Sequence, residues 1–131
     1  EALAIAVKGV QAKTAVYTYF GKLNGTLEAL MSSPVDIVGV DVVSDPTAIS
    51  ALKNAKITKE LGLGCLDARN TKLESVTELH ALFDLVSKHV DLDRVHVGPN
   101  CGLEYLPHPQ AQAKMKRLAE AVKTYKSPRR A

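Results

Sequence analysis

Tryptophan is absent from this 131-residue sequence, and aromatic residues of all kinds make up only 5% of it. Proteins that bind single-stranded nucleic acid use aromatic side chains as stacking platforms, and few are available here. The charges are nearly balanced, with 17 Lys and Arg against 14 Asp and Glu and a net charge of +3. A nucleic-acid-binding face needs a larger positive excess, so we expect no nucleic-acid partner.

Cysteine is also scarce, since Cys65 and Cys101 are the only two. Two cysteines are too few for a disulfide framework, and a chain of this length can bury a core without one. We therefore expect a reduced, cytoplasmic protein, and each cysteine needs its own explanation.

Long apolar runs are missing as well. No run approaches the roughly 20 residues that a membrane-spanning helix needs, so we expect no membrane association. The first residues, EALAIAVKGV, begin with Glu and lack a basic leader, which argues against a signal peptide. The missing initiator Met suggests a processed chain or a fragment of a longer protein.

The apolar residues that are present follow an alternating pattern of helix-like and strand-like segments. Helices are predicted over 1–12, 24–33, 45–55, 75–90 and 109–125, and strands over 14–20, 35–43, 60–68 and 94–98. Start signals support three helices: Thr26 and Asp45 are candidate N-caps, and Ser75 with Glu78 has capping-box spacing. Strict alternation predicts parallel strands joined by right-handed crossovers.

Two α/β architectures agree with this pattern. Four βα units form half of a (βα)8 barrel, which typically needs about 250 residues. They could also form a small, open, doubly wound sheet. In both cases we expect a single domain over 1–125, a disordered basic tail over 126–131, and chemistry at the carboxyl ends of the strands.

The polar residues at those strand ends are few. Asp41 interrupts an apolar strand and shares the face of Gly39, so its carboxylate must be solvated, hydrogen-bonded to a loop amide or Arg69, or bound to a metal. Cys65 and Cys101 follow consecutive strands, and two thiolates with a carboxylate would suit Zn²⁺. Alternatively, Cys65 is a small buried apolar residue. The four histidines show no ligand spacing and are interpreted as structural or solvated.

Four segments in order carry a family resemblance: TYFGKLNGTLEAL, SSPVDIVGVDVVSD, LGLGCLDARN and GPNCGLEYLP. Together they resemble the cobalamin-independent methionine synthase family over roughly residues 14–125. The most specific element is Asn100-Cys101-Gly102-Leu103. The resemblance implies the C-terminal half of a barrel of the methionine synthase and uroporphyrinogen decarboxylase type.

The resemblance also implies a function and a site. In that family zinc activates the homocysteine thiol, which takes a methyl group from methyltetrahydrofolate. Cys101 matches the zinc-ligating cysteine, and Asp41 lies where the family has an acidic ligand, usually Glu. Tyr17 and Tyr19 stand where a His-x-Cys pair is expected, which resembles instead the folate-side N-terminal barrel.

The resemblance further places Asp67 and Asn100, at two strand exits, as substrate-binding residues, and no catalytic residue is assigned. Three readings remain open: a small doubly wound α/β binding domain whose resemblance is accidental, a non-catalytic module related to the folate-side barrel, or a zinc-assisted methyltransferase fragment. The small-molecule partners are then a thiol and a folate. Because half a barrel has two bare edges, a homodimer or a companion chain should supply the other half.

Overall fold

The computed structural model describes residues 2–23 and 25–127. Its strands are β1 (Ala15–Tyr17), β2 (Ile37–Asp41), β3 (Glu60–Leu66) and β4 (Val95–Pro99). Its α-helices are α1 (Ala2–Ala6), α2 (Leu27–Met31), α3 (Ala48–Asn54), α4 (Val76–Ser87) and α5 (His108–Thr124). Short 3₁₀ helices at Leu92–Arg94 and Leu103–Tyr105 flank β4.

The four strands form one parallel sheet in the order β1-β2-β3-β4. A doubly wound sheet reverses its strand order at a switch point, whereas a barrel places successive strands side by side. The consecutive order therefore decides between the two architectures. The chain is four βα units that form half of a (βα)8 barrel.

The two faces of this sheet differ in burial. On the outer face, Val38, Val40, Leu61 and Leu63 are buried in the hydrophobic core. The helices cover this face with buried side chains, which include Leu27, Met31, Leu52, Leu79, Phe83, Val86 and Leu118. On the inner face, Tyr17 and His96 are exposed to solvent. In a complete barrel this inner face would point to the barrel axis.

The amino-terminal end of the inner face carries a small ionic cluster. Glu60 accepts hydrogen bonds from Lys13 and from His96, whose Nε2 lies 2.7 Å from the carboxylate. These two contacts hold the pKa of Glu60 below its usual value. His96 thus has a solvated, structural place, as expected from the sequence.

The start of one helix agrees with the prediction from sequence, and the start of another does not. Ser75 and Glu78 form the predicted capping box at α4. In contrast, Asp45 does not begin α3, whose N-cap is Thr47. The buried Asp45 carboxylate accepts hydrogen bonds from both the amide and the hydroxyl of Thr47 and from the Leu23 amide.

Burial alone would raise the pKa of the Asp45 carboxyl. The hydrogen bonds from the Thr47 hydroxyl, the Leu23 amide and the Thr47 amide outweigh burial and lower it. Asp45 is therefore a charged tether between the β1–α2 loop and the start of α3, because a bridging carboxylate satisfies both segments at once.

Two further predictions concern the ends of elements. Thr26 is the N-cap of α2, but its side chain makes no capping hydrogen bond. The predicted disordered tail covers 126–131, of which 128–131 lie outside the described residues. Within 2–23 and 25–127, no helix is long and apolar enough to cross a membrane.

Candidate functional site

A buried polar pair, Asp41 and Asn100, lies at the carboxyl end of the sheet. Asp41 ends β2 and is only 3% exposed. One carboxylate oxygen accepts from the amides of Val43 and Ser44 at 2.9 and 2.8 Å. The other accepts from the Phe20 amide and the Asn100 side-chain amide, both at 3.3 Å. The alternative in which Asp41 binds loop amides is the one the structure shows.

Asn100 connects the loops that follow three strands. Its amide nitrogen donates to Asp41 and to the Ser44 hydroxyl, while its oxygen accepts from the Ala68 amide at 3.0 Å. A Cβ atom on Gly64 would lie only 2.8 Å from the Cα atom of Asn100. Strand β3 therefore needs glycine at position 64 for this close contact. Asn100 and Asp41 together fix the loops relative to one another.

An open recess lies beside this pair and faces the barrel interior. Its lining includes Tyr17, Tyr19, Asn100, Cys101 and Glu104. The Tyr17 ring lies across the inner face of β2 and β3, where side chains on Gly39 and Gly62 would collide with it. The sequence predicted polar groups at this edge, and the structure adds a tyrosine platform made possible by two glycines.

The two cysteines have different environments. Cys65 is buried in the core, as one sequence interpretation proposed, and its thiol donates to the Gly98 carbonyl at 3.5 Å. Burial raises the pKa of Cys65 to about 12, which leaves it almost entirely as the neutral thiol near pH 7. Cys101 is partly exposed at the recess. Only Cys101 is therefore placed to meet a ligand.

Asp67 holds the conformation of its own loop. Its carboxylate accepts from the Arg69 amide at 2.8 Å and from the side chain of Asn70. Its backbone amide donates to Glu74 at 2.9 Å. Both of its oxygens already have partners in the loop, and the substrate-binding role of Asp67 stays a prediction.

A second cluster at this edge was not predicted from the sequence. The guanidinium of Arg69 lies 5.1 Å from the centre of the Phe20 ring and 5.0 Å from that of Tyr105. Phe20 has a φ of 64°, the one positive value among the described residues other than glycine. The position of Phe20 at the end of the predicted strand 14–20 was the available signal, but its pairing with Arg69 depends on the tertiary fold.

The described residues hold no cluster that suits a metal ion. No group of three or more His, Cys, Asp or Glu side chains within 2–23 and 25–127 could hold a metal ion. Asp41 uses both oxygens for hydrogen bonds, and Cys65 is a protonated core residue. Cys101 supplies only one of the four ligands that Zn²⁺ usually takes. The present arrangement therefore does not fit zinc.

Comparison with known proteins supports the family resemblance. The similarity to "5-methyltetrahydropteroyltriglutamate--homocysteine methyltransferase" of Ralstonia pickettii is 25% identity over 124 residues, covering 92% of this chain and 16% of that protein. The similarity to "Methionine synthase" of Methanothermobacter marburgensis is 24% over 106 residues, covering 80% and 34%. The chain thus spans only a minor part of these relatives.

A solved structure shares the fold. It is a B12-independent methionine synthase from Shewanella sp. W3-18-1 in complex with selenomethionine, with a TM-score of 0.77 and 20% identity. The similarity covers 90% of this chain and 40% of that one. The family model described as "Cobalamin-independent synthase, Catalytic domain" matches residues 1–124. The chain therefore belongs to the family of cobalamin-independent synthase catalytic domains.

Proposed function

We propose that this chain is the C-terminal half of a methionine synthase-type barrel that transfers a methyl group from a methyltetrahydrofolate-type donor to the homocysteine thiol. Family membership supports this class of reaction. The observation that carries the proposal is the recess at the carboxyl ends of the strands, where Tyr17, Tyr19 and Cys101 face the uncovered inner side of the sheet. Enzymes with this barrel bind their substrates at that end.

In this proposal the polar residues have two kinds of role. Tyr17, Tyr19 and Cys101 line the recess and contact the substrates. Asp41 and Asn100 hold the surrounding loops, because their side chains are already committed to hydrogen bonds within the protein. Asn100 can then act on a substrate mainly through the loops it positions, which refines its predicted substrate-binding role.

The chain needs a second half-barrel to complete such a site. The inner face presents the exposed residues Ala15, Tyr17 and His96, and both β1 and β4 have an unpaired edge among the described strands. Edges of this kind pair readily with further strands. We propose that a second copy of the chain supplies the remaining four βα units, with a companion chain as the alternative source.

Self-assembly is expected to be measurable with the purified chain. Light scattering at micromolar concentration should give about 28 kDa, twice the 14.1 kDa subunit. A charge on the inner face, Ala15→Asp, should shift the species to monomer, because a desolvated, unpaired carboxylate opposes association. Ala81→Asp, on the exposed side of α4, is the matched control and should stay dimeric.

The purified dimer and the monomeric variant also test the methyl-transfer activity. Methionine formation from homocysteine and methyltetrahydropteroyltriglutamate should follow the dimer and disappear in the Ala15→Asp monomer. A wild-type monomer without activity would contradict self-assembly and direct the search to a companion chain. A dimer that forms no methionine would contradict methyl transfer by this chain.

A second candidate function is a metal-free module related to the folate-side barrel of the family. Two observations favour it: Tyr17 and Tyr19 replace the expected His-x-Cys pair, and the Asp41 carboxylate is saturated with hydrogen bonds. In the first candidate, zinc would need ligands beyond Cys101 from outside this chain. The zinc content therefore separates the two candidates.

We expect the chain as a monomer, as in Ala15→Asp, to bind no zinc in native mass spectrometry at micromolar metal. The physical reason is that Cys101 alone cannot replace the hydration shell of the ion. One zinc per monomer would contradict this expectation and require a rearrangement that frees Asp41. One zinc per dimer, lost in Cys101→Ser and retained in Cys65→Ser, would support zinc-assisted transfer, and a dimer without zinc would support the metal-free module.

A further inference from the structure

The carboxyl-terminal edge of the sheet carries a cation held between two aromatic rings. The Arg69 guanidinium lies about equally far from the Phe20 and Tyr105 rings, at 5.1 and 5.0 Å. Both rings are exposed, at 65% and 69%. A large exposed aromatic residue gains little stability from the fold, so two of them around one arginine point to a role in binding.

The buried pair Asp41 and Asn100 positions both sides of this arrangement. Asp41 accepts a hydrogen bond from the Phe20 amide, and Asn100 accepts one from the amide of Ala68, next to Arg69. Phe20 is thereby held in a left-handed conformation, which costs a residue with a side chain of this size on the order of 1 kcal/mol or more. The strained backbone therefore belongs to the residue whose ring contacts Arg69.

The Arg69 side chain makes neither an ion pair nor a hydrogen bond among residues 2–23 and 25–127. Arg69 is exposed, so its N–H groups are accessible to a ligand from solvent. An arginine restrained by two aromatic rings is preorganised for a planar, bidentate acceptor, and a carboxylate is such an acceptor.

We propose that Arg69, held between Phe20 and Tyr105, binds a carboxylate of the substrate at the rim of the recess. The inference rests on the proposed function only for the identity of the molecule that bears the carboxylate. Tyr105 lines the recess itself, so a ligand anchored on Arg69 reaches toward Cys101 and Tyr19. Arg69 is in this sense a specificity-determining residue and not a catalytic one.

Two substrates of the proposed reaction carry carboxylates. Homocysteine has one α-carboxylate beside an ammonium group, whereas a triglutamate-bearing donor has several carboxylates in a flexible tail. Both substrates present a planar carboxylate. Two probes that each carry the carboxylates of only one substrate therefore distinguish between the substrates. L-methionine represents the amino acid, and tri-γ-glutamate represents the tail.

Isothermal titration calorimetry with these two probes tests the proposal. The probe that uses the site should bind the wild-type chain, and Arg69→Gln should weaken its binding about 10- to 100-fold through loss of a charge-assisted pair. Arg69→Lys should recover only part of this, because an ammonium cannot form the bidentate contact. Phe20→Leu and Tyr105→Leu should each weaken binding several-fold, because the arginine is then less ordered.

Lys56→Gln is the matched control, since Lys56 is an exposed cation before the amino end of β3 and should leave binding unchanged. The fold of each variant is checked by its unfolding temperature. Binding by Arg69→Gln that equals wild type would overturn the proposal, as would a wild-type chain that binds neither probe at millimolar concentration.

The methionine-formation assay separates this inference from the proposed function. Absence of methyl transfer together with Arg69-dependent probe binding would defeat the proposed function and uphold the carboxylate site. Methyl transfer with KM values for both substrates unchanged in Arg69→Gln would uphold the function and overturn the carboxylate site.

Discussion

Replacing Glu74 with alanine is expected to lower the free energy of unfolding by about 3–5 kcal/mol, because it leaves a buried ammonium without its counter-ion. The Lys114 side chain is 1% exposed, and its Nζ lies 2.9 and 2.8 Å from the two oxygens of Glu74. The Lys72 carbonyl is its only other acceptor in the described part of the chain. Glu74 also accepts from the Asp67 amide, so its removal unpairs two donors.

The location of this pair explains the size of the effect. Lys114 projects from α5, and Glu74 belongs to the loop between β3 and α4, so the pair fastens the last helix to the body of the half-barrel. Arg117 adds a second link from α5 to the same loop through the Glu74 carbonyl, at 2.8 Å. Loss of the carboxylate thus weakens the attachment of α5 to this loop.

Urea denaturation measures the loss in the free energy of unfolding, and two further variants serve as controls. Glu120→Ala breaks an exposed pair with Arg117 at 3.2 Å and should cost no more than about 0.5 kcal/mol. Glu74→Leu combined with Lys114→Met removes both charges and should be closer to wild type than Glu74→Ala, because no buried charge is left. A Glu74→Ala loss equal to that of Glu120→Ala would show that Lys114 reaches water.

Asp41→Asn is the second change with a large expected effect. The substitution keeps the size of the side chain but turns one acceptor oxygen into an NH₂ donor. In the wild type, the two oxygens accept from four donors. At least one buried donor then faces another donor, and an unsatisfied buried polar group costs about 1–3 kcal/mol. We therefore expect a loss of about 2–3 kcal/mol in the free energy of unfolding.

The control for Asp41 is at the other end of the same strand. Asp36 immediately precedes β2 and accepts from the amide and hydroxyl of Thr14, but it is exposed to water. Water can satisfy the groups that Asp36→Asn releases, so this variant should lose clearly less stability. Chemical denaturation of both variants at pH 7 tests the difference, and equal losses would contradict the role of Asp41 as a buried junction.

Asp41→Asn should also disturb the edge at which we propose that Arg69 binds a carboxylate. Because Asp41 holds the Phe20 amide and the Asn100 side chain, its loss loosens the loops on which Phe20 and Arg69 stand. Folded Asp41→Asn protein is therefore expected to bind the carboxylate probe several-fold more weakly. Stability and binding change together here, whereas Arg69→Gln changes binding alone.

Much of the fold could be predicted from local sequence signals. The capping box of Ser75 and Glu78 marks the start of α4, because its partners are three residues apart and interact within one turn. The alternation of β-branched runs with helical runs predicts parallel strands. The family resemblance of the NCGL turn is likewise contained in a short stretch around Cys101, and the family match over residues 1–124 confirms it.

Other features depend on contacts between distant residues. Lys114 occupies a helix position that the sequence does not mark as buried, and it is buried because Glu74, 40 positions earlier, reaches it. Asp45 looks like a helix cap, yet its carboxylate joins the start of α3 to the Leu23 amide. The sequence around a lysine or an aspartate does not indicate whether its side chain contacts water or a distant side chain.

The sequence by itself determined the order of the elements, the parallel character of the sheet and the family, because these follow from hydrophobic periodicity and short motifs. The tertiary structure alone decided the consecutive strand order, the use of Asp41 as a hydrogen-bonded junction and the placement of Arg69 between Phe20 and Tyr105. The physical reason is distance along the chain. Hydrogen bonds and ring contacts between residues 20 to 60 positions apart form only when packing of the sheet and helices brings their loops together.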